Sequence, residues 1–385
     1  MDFSNIVRAQ NQVRVQKGMA SHLTNNHVII ADILSRLPVK TLSRFNCVCK
    51  LWYCMINSDP GFQALHHSRS WRNLRFLFRL SDFDFNPLEH LGYRYAYNFV
   101  STDTEGKNIC LMQIKVHEPV KLILPGCFGL LVFSTDTRIH VCNPSTRRIL
   151  ALPDYKSKIA GFGVGYLSSI RRHKIVRLIP RRPSSLHLEC SVFTLAPGEE
   201  GFSWRVMNDQ CPYLVDHFSL PAFANETIYW KIDRQQALNR HNDFIVSFNI
   251  RYEKFMTITH PADWIPTSNL DWRSPIRNST QLVELRGTLC MIQTLASSHV
   301  AVWKLADHKN SMWVKICMID TSRIHPNFVG EVQCIKDGEI IFNSASNHLL
   351  YYDVRKKTFR KKMLPHSAEN LTSYCESLTS LTRWW

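Results

Sequence analysis

The chain has 385 residues, 45% hydrophobic and 11% aromatic, which excludes a disordered polypeptide and is too long for one small domain. Its 47 Lys and Arg against 31 Asp and Glu give a formal charge of +16, pointing to acidic partners in general: nucleic acid, an anionic surface or an acidic protein. Apolar runs such as Gly129 to Phe133 fall far short of the roughly 20 residues that span a bilayer, and the start has no apolar core of signal-peptide length, so neither a membrane nor a secretory route is expected.

Residues 1–21 are polar, basic and aperiodic and read as a flexible leader. From Val28 to Leu37, the residues Ile30, Ile33, Leu34 and Leu37 recur at steps of three and four, which predicts a helix with one apolar stripe. Pro38 ends that helix, because the residue before a proline is pushed out of the helical region, and a second helix can begin at Pro38 itself. Leu42, Phe45, Val48, Trp52 and Ile56 carry the stripe onward. Asp59 before Pro60 predicts an N-cap opening a short helix through Phe62, Leu65 and His66, and the block closes near residue 70. A unit of this size can hardly build a self-sufficient core, so so wide a stripe predicts that another molecule covers part of it. The alternative is that it packs wholly on the domain that follows.

Beyond about residue 90 the helical period gives way to short apolar strands and polar turns. A unit of two strands joined by a small polar or charged turn recurs at Arg138 to Pro153, Cys190 to Met207, Phe244 to Ile258, Val300 to Ile316 and Leu349 to Pro365. The centres lie roughly 50 residues apart, a period typical of propeller blades. Further strands precede most of these hairpins ("GCFGLLVFS", "ANETIYWKI", "RGTLCMIQT", "KDGEIIFNS"), and Tyr93 to Ile114 reads as a degenerate first unit. The fold expected is a small all-α unit followed by an all-β domain, a β-propeller of about six blades, with a two-sheet sandwich as the competing all-β reading. The boundaries read as 22–68 for the helical unit, 69–90 for a linker, 91–366 for the propeller and 367–385 for a tail.

Chemistry-bearing motifs are sparse. "GFGVGY" (Gly161 to Tyr166) lacks the helix and GK[ST] of a phosphate loop and is read as glycines at strand turns. The seventeen histidines form no HExxH or H-x-H, and the twelve cysteines form no CxxC, so the cysteines are expected as small buried hydrophobes in a reducing compartment. No metal site, cofactor or catalytic residue is expected. The basic runs "RRHKIVRLIPRRP" (Arg171 to Pro183) and "RKKTFRKK" (Arg355 to Lys362) offer a polyanion surface or a nuclear-import patch, with solvated strand edges as the plainer reading. Trp204, Trp230, Trp303 and Trp313 lie in the repeated units and are read as packing between blades, whereas Trp264 and Trp272, in a proline-rich loop, are candidate contacts to a target.

The segment "HVIIADILSRLPVKTLSRFNCVCKLWYCMINSDPGFQALH" resembles an F-box of the plant type, through "ILSRLPVK", "RF.CVCK.W" and "SDP.F". The later chain is similar to the F-box-associated domain of those proteins, through "GLLVFSTDTRIHVCNPSTRRILALP", "GFGVGY" and "LLYYDVRKKTFRKK". The resemblance covers residues 22 to 365 and implies a non-catalytic substrate receptor of an SCF-type ubiquitin ligase, in the cytoplasm, the nucleus or both. It implies that the F-box docks on a Skp1-like adaptor, and through it a cullin, while the propeller holds an unknown protein substrate. The adaptor-facing and F-box core set it implies is Ile33, Leu34, Leu37, Pro38, Val39, Leu42, Phe45, Val48, Cys49, Lys50 and Trp52. Nucleic acid is not the favoured partner; a basic propeller that binds nucleic acid or another polyanion is the alternative kept open.

Overall fold

Four Asx side chains shape the hairpins of the repeat. Asn143, Asn249, Asp307 and Asp353 each accept, through Oδ1, the backbone N–H groups two and three residues ahead, at 2.8 to 3.4 Å. The residue four positions on, Arg147, Glu253, Ser311 or Lys357, turns the chain back with a φ of 51 to 57°. An Asx side chain mimics a backbone turn, so each of these positions starts a tight reversal between two strands.

The computed structural model describes residues 27–70, 73–81, 95–102, 108–153, 159–180, 187–195, 203–217, 219–233, 244–265, 279–295, 298–322, 324, 330–344, 348–364 and 368–381. Its strands form six four-stranded antiparallel sheets. Blade 1 unites β1 (Arg75–Ser81), β2 (Tyr95–Thr102) and β3 (Asn108–Val116) with the last described strand, β24 (Ala368–Tyr374). Blade 2 is β4 (Leu122–Ile123), β5 (Leu131–Ser134), β6 (Ile139–Asn143) and β7 (Arg148–Ala151). Blade 3 is β8 (Gly161–Leu167), β9 (Arg172–Pro180), β10 (Leu188–Thr194) and β11 (Arg205–Val206). Blade 4 is β12 (Ala222–Ala224), β13 (Thr227–Lys231), β14 (Phe244–Asn249) and β15 (Lys254–Thr259). Blade 5 is β16 (Ser279–Leu285), β17 (Thr288–Leu295), β18 (His299–Asp307) and β19 (Met312–Asp320). Blade 6 is β20 (Gly330–Lys336), β21 (Glu339–Ser344), β22 (His348–Asp353) and β23 (Thr358–Met363).

The chain therefore folds as a six-bladed propeller, and the sandwich reading is set aside. Each repeated hairpin of the sequence is the third and outermost strand of a blade. The innermost strands meet around the ring, β8 with β12, β12 with β16, β16 with β20 and β20 with β24. Apolar clusters fill the seams between blades, such as Cys290, Val302, Phe342 and Tyr352 between blades 5 and 6. The first hairpin of blades 4, 5 and 6 turns on two residues of positive φ, Asn225 and Glu226, Arg286 and Gly287, Asp337 and Gly338, the geometry that matches strand twist.

Two sequence expectations change. The stretch 69–90, expected as a linker, contains β1, and the expected tail, 367–385, contains β24; the two pair antiparallel, from Arg75 with Tyr374 to Leu80 with Ala368. Closure of the ring by both ends of the domain removes two exposed sheet edges. "GFGVGY" is not a set of turns but the innermost strand β8. A Cβ at Gly161, Gly163 or Gly165 would lie 2.5 to 2.6 Å from Val215, Ile228 or Phe223, so the alternating glycines let blade 4 approach closely.

The helical unit comprises α1 (27–34 among the described residues), α2 (Val39–Phe45), α3 (Lys50–Ser58) and α4 (Pro60–Ser70). The second helix expected from Pro38 through Ile56 is split at 46–49, where Cys49 is extended. Asn, Cys and the β-branched Val48 are weak helix formers, and the Asn46 side chain is taken by Asn57 at 2.9 Å. Asp59 caps α4 as expected, accepting the Gly61 and Phe62 amides at 2.8 and 3.2 Å.

Candidate functional site

The helical unit buries Leu34, Val39, Leu42, Met55, Ile56 and Phe62 around one small core, with Ile30, Leu37, Phe45 and Trp52 packed against it. Phe45 and Trp52 meet at 5.3 Å, a contact that the break at 46–49 makes possible. Arg69 on α4 ties back to α1 by donating to the Asp32 carbonyl at 2.6 Å and to the Asp32 carboxylate. That guanidinium, with Arg36, holds the Asp32 carboxyl below its usual range.

Of the eleven residues expected at this site, Leu34, Val39 and Leu42 are buried, and Leu37, Phe45 and Trp52 are partly buried against the same core. These six hold the unit together. Ile33, Pro38, Val48, Cys49 and Lys50 lie on the surface, with Ile33 and Val48 55% and 54% exposed. The sequence reading missed Val28, Ile29, Leu51 and Tyr53, which are large, apolar or aromatic, and exposed. A signal was present for Ile29: it lies four residues before the expected Ile33, one position out of phase with Ile30 and Leu34 of the core. The wide stripe is thus two stripes, one facing the core and one facing solvent. No acid occurs from Val39 to Ser58, while Lys40, Arg44 and Lys50 are exposed there.

The chain's own carboxyl end covers another side of the unit. Leu378 joins the helical core, and the Glu376 carboxylate accepts the Val39 amide at 2.7 Å, capping α2 where Pro38 supplies no side-chain cap. Blade 2 holds this strap in turn. The Asn143 side chain donates to the Ser377 and Thr379 carbonyls at 3.0 and 2.9 Å, and Ser145 accepts the Ser377 amide at 3.1 Å. In the "NPSTR" stretch the Asn143 side chain therefore both makes the turn and anchors the strap, and the Ser145 side chain adds a second anchor. Gly129, at φ 75°, allows the strap to pass, since a Cβ there would lie 2.2 Å from Ser377 Cβ.

A stack of rings completes the join. His67 on α4 stacks on Phe128 at 4.8 Å, and Phe128 on Tyr166 at 4.1 Å. His66 bonds the Leu37 carbonyl at 2.9 Å, and His173 the Cys127 carbonyl at 3.2 Å. Burial lowers the pKa of all three histidines, to about 4 for His67 and His173. The helical unit thus sits against the first-hairpin turns of blades 2 and 3. Strands alternate in direction, so connections between successive blades lie at the opposite end of the ring.

Trp264 lies in one such connection, between blades 4 and 5. It is half-buried, stacks on His260 at 4.0 Å and donates to Thr280 Oγ1 at 3.3 Å; Trp272 lies outside the described residues. The basic run from Arg171 is mostly the interior of β9: Lys174 is buried and donates to the Ile250 carbonyl and Glu253, both at 2.8 Å, and Arg177 lies over Trp204 at 4.2 Å. "RKKTFRKK" is the outer turn and strand β23 of blade 6, exposed at Arg355, Lys356, Lys357, Arg360 and Lys361. Among the described residues no group of three or more His, Cys, Asp or Glu could hold a metal ion, and no helix is long and apolar enough to cross a membrane. Of the described cysteines, Cys47, Cys49 and Cys54 are exposed, a departure from the buried role expected, because they lie on the helical unit's outer side.

Comparison with known families matches residues 26–63 to the F-box domain and residues 96–381 to the F-box associated beta propeller domain. The chain belongs to the F-box-associated β-propeller family. This F-box protein is 28% identical over 372 residues to the Arabidopsis thaliana F-box sequence At1g47765, covering 93% of this chain and 88% of that one. F-box protein At1g30790 of the same plant is 26% identical over 379 residues, with 89% and 90% covered. F-box protein DOR, also from Arabidopsis thaliana, is 24% identical over 370 residues, with 86% of each covered. Strand β1 falls between the two matched regions of the F-box protein, yet it is hydrogen-bonded into the propeller.

Proposed function

We propose that this F-box protein is the substrate receptor of an SCF-type ubiquitin ligase. Its F-box docks on a Skp1-like adaptor, which links it to a cullin, and its propeller holds a protein for ubiquitination by other subunits. The observation that carries the reading is that Ile29 and Ile33 on α1, and Val48 and Leu51 around the start of α3, stay exposed beside residues that pack on the unit's core. Exposed apolar side chains at this density mark a protein interface. The acid-free basic stretch with Lys40, Arg44 and Lys50 suits an acidic adaptor by electrostatic steering. The connections between blades, with Trp264 among them, lie at the end of the ring away from the F-box, and a target would meet the receptor there.

The nucleic-acid reading loses His173 and Lys174 of its first basic run, which are interior; Arg181 and Arg182 of that run lie outside the described residues. Binding of the full chain to a purified Skp1-like adaptor tests the proposal. Wild type is expected to bind, and Ile33→Asp with Val48→Asp to weaken binding about a hundredfold, the loss of two buried apolar anchors, with the melting temperature unchanged. Failure of wild type to bind the adaptor overturns the reading.

A further inference from the structure

Cysteine usage divides along the fold. The described cysteines from Cys127 onward are buried or half-buried, whereas Cys47, Cys49 and Cys54, which all belong to the F-box, are exposed. Burial pushes the thiols of Cys142, Cys211 and Cys334 up to about 12, which keeps them protonated as well as out of reach. Free cysteine is ordinarily among the most buried of residues, packed as a small hydrophobe. Packing of that kind accounts for the propeller thiols and not for the three on the F-box surface.

These three border the apolar side chains assigned to the adaptor. Cys47 and Cys49 flank Val48 in the break between α2 and α3, where Cys47 Sγ touches only the Arg44 carbonyl, at 3.0 Å, and Cys49 is extended. Cys54 follows Leu51 by three residues on α3 and Lys50 by four, spacings that place side chains on one helix face. Val48, Leu51 and Tyr53 are themselves exposed, and so are Lys40, Arg44 and Lys50. The nearby acids are engaged elsewhere: Asp32 with Arg36 and Arg69, Asp59 with the Gly61 and Phe62 amides, and Glu376 with the Val39 amide. Accessible thiols beside cations are those that react.

We infer that Cys47, Cys49 and Cys54 form a thiol-modification site, where exchange with a small disulfide such as oxidised glutathione blocks docking of the adaptor. In the exchange the cysteine sulfur, having lost its proton, bonds to one sulfur of the small disulfide. The original sulfur–sulfur bond breaks, and the other half leaves as a thiolate that takes up the proton. The cysteine is oxidised and the departing half reduced; a reduced thiol runs the same exchange backward and restores the surface. The adduct sets bulk and carboxylates beside Val48 and Leu51, where docking needs close apolar contact on a basic surface. A docked adaptor would in turn cover the thiols, so modification and docking exclude each other. The blocking step rests on the receptor function proposed above.

The test treats the reduced full chain with oxidised glutathione under native conditions, maps the adducts by mass spectrometry and measures binding to a purified Skp1-like adaptor. Adducts are expected at Cys47, Cys49 and Cys54 before any of the buried cysteines, with a loss of about tenfold or more in adaptor affinity that dithiothreitol reverses. Saturating adaptor added beforehand should slow the labelling of all three. A variant with Cys47→Ser, Cys49→Ser and Cys54→Ser, compared only with its own untreated form, should bind the adaptor equally with and without treatment. Unchanged affinity of the fully modified wild type, adducts that form first on buried cysteines, or an equal loss in the treated variant overturns the inference. Failure of the reduced, untreated chain to bind the adaptor overturns the receptor reading and with it the blocking step, while the adduct map still decides whether these three are the reactive thiols.

Discussion

The carboxylate of Glu376 accepts the amide of Val39 at 2.7 Å, across nearly the whole length of the chain. The strap that carries Glu376 also places Leu378 in the F-box core and Leu381 in the core between blades 2 and 3. The F-box is thereby fixed to the ring, and the two ends of the proposed receptor keep a set relation.

Removal of the cap should loosen the F-box without opening the propeller. Glu376→Ala is expected to cost about 1 kcal/mol, as for other helix caps, and Leu378→Ala about 2 kcal/mol or more. Hydrogen exchange should speed up at residues 39–45 in both variants and stay unchanged at β13 and β14. Uniformly faster exchange throughout would show that the strap serves only the ring.

Acid should weaken the join. His66, His67 and His173 are buried with pKa values below the ordinary 6.5, the latter two at about 4, so the unfolded chain binds more protons than the folded one between those limits. Their contribution is complete above pH 6.5 and is lost as pH falls toward 4. Denaturant titrations at pH 7 and pH 5 should show lower stability at pH 5, and His67→Phe should reduce the difference.

The glycines of β8 predict a steric effect. Gly163→Ala would set a Cβ 2.6 Å from Ile228 Cγ2 and 3.0 Å from Trp230 Cζ2, with packed side chains on both sides. Overpacking of this kind costs about 1–3 kcal/mol, and thermal unfolding should register it as a fall in melting temperature.

The ion pair of Lys174 with Glu253 predicts a larger loss. Lys174→Met leaves the Ile250 carbonyl without its 2.8 Å donor and Glu253 with Arg205 alone of its two cations. Breaking one side of a largely buried pair destabilises by about 3 kcal/mol. Lys357→Met, at an exposed turn, should be close to neutral in the same denaturation assay.

Much of the ring was legible because its turns are local. Asn143, Asn249, Asp307 and Asp353 each set their own reversal within five residues, so the repeat survives in the sequence even where the strands diverge. Strand β1 was not legible, since its partner β24 lies at the far end of the chain and nothing local links Phe76 to Ser373. The F-box residues were found as a group, but a helical period cannot say which of two adjacent stripes faces outward. Ile33 and Leu34 are neighbours in sequence, and packing with Leu42 and Phe62 alone decides that Leu34 is the buried one. The glycines of β8 were misread for a related reason: glycine marks a tight place, and whether the crowding comes from a turn or from a neighbouring blade depends on residues such as Ile228.

Closure of blade 1 by β24 also orders events during synthesis. The F-box emerges before any blade, yet Leu378 and Glu376, which complete it, emerge only after blade 6, together with the strand that closes the ring. A chain cut short before β24 would leave a gapped ring and an uncapped F-box at once, so the ring and the helical unit are completed by one short stretch.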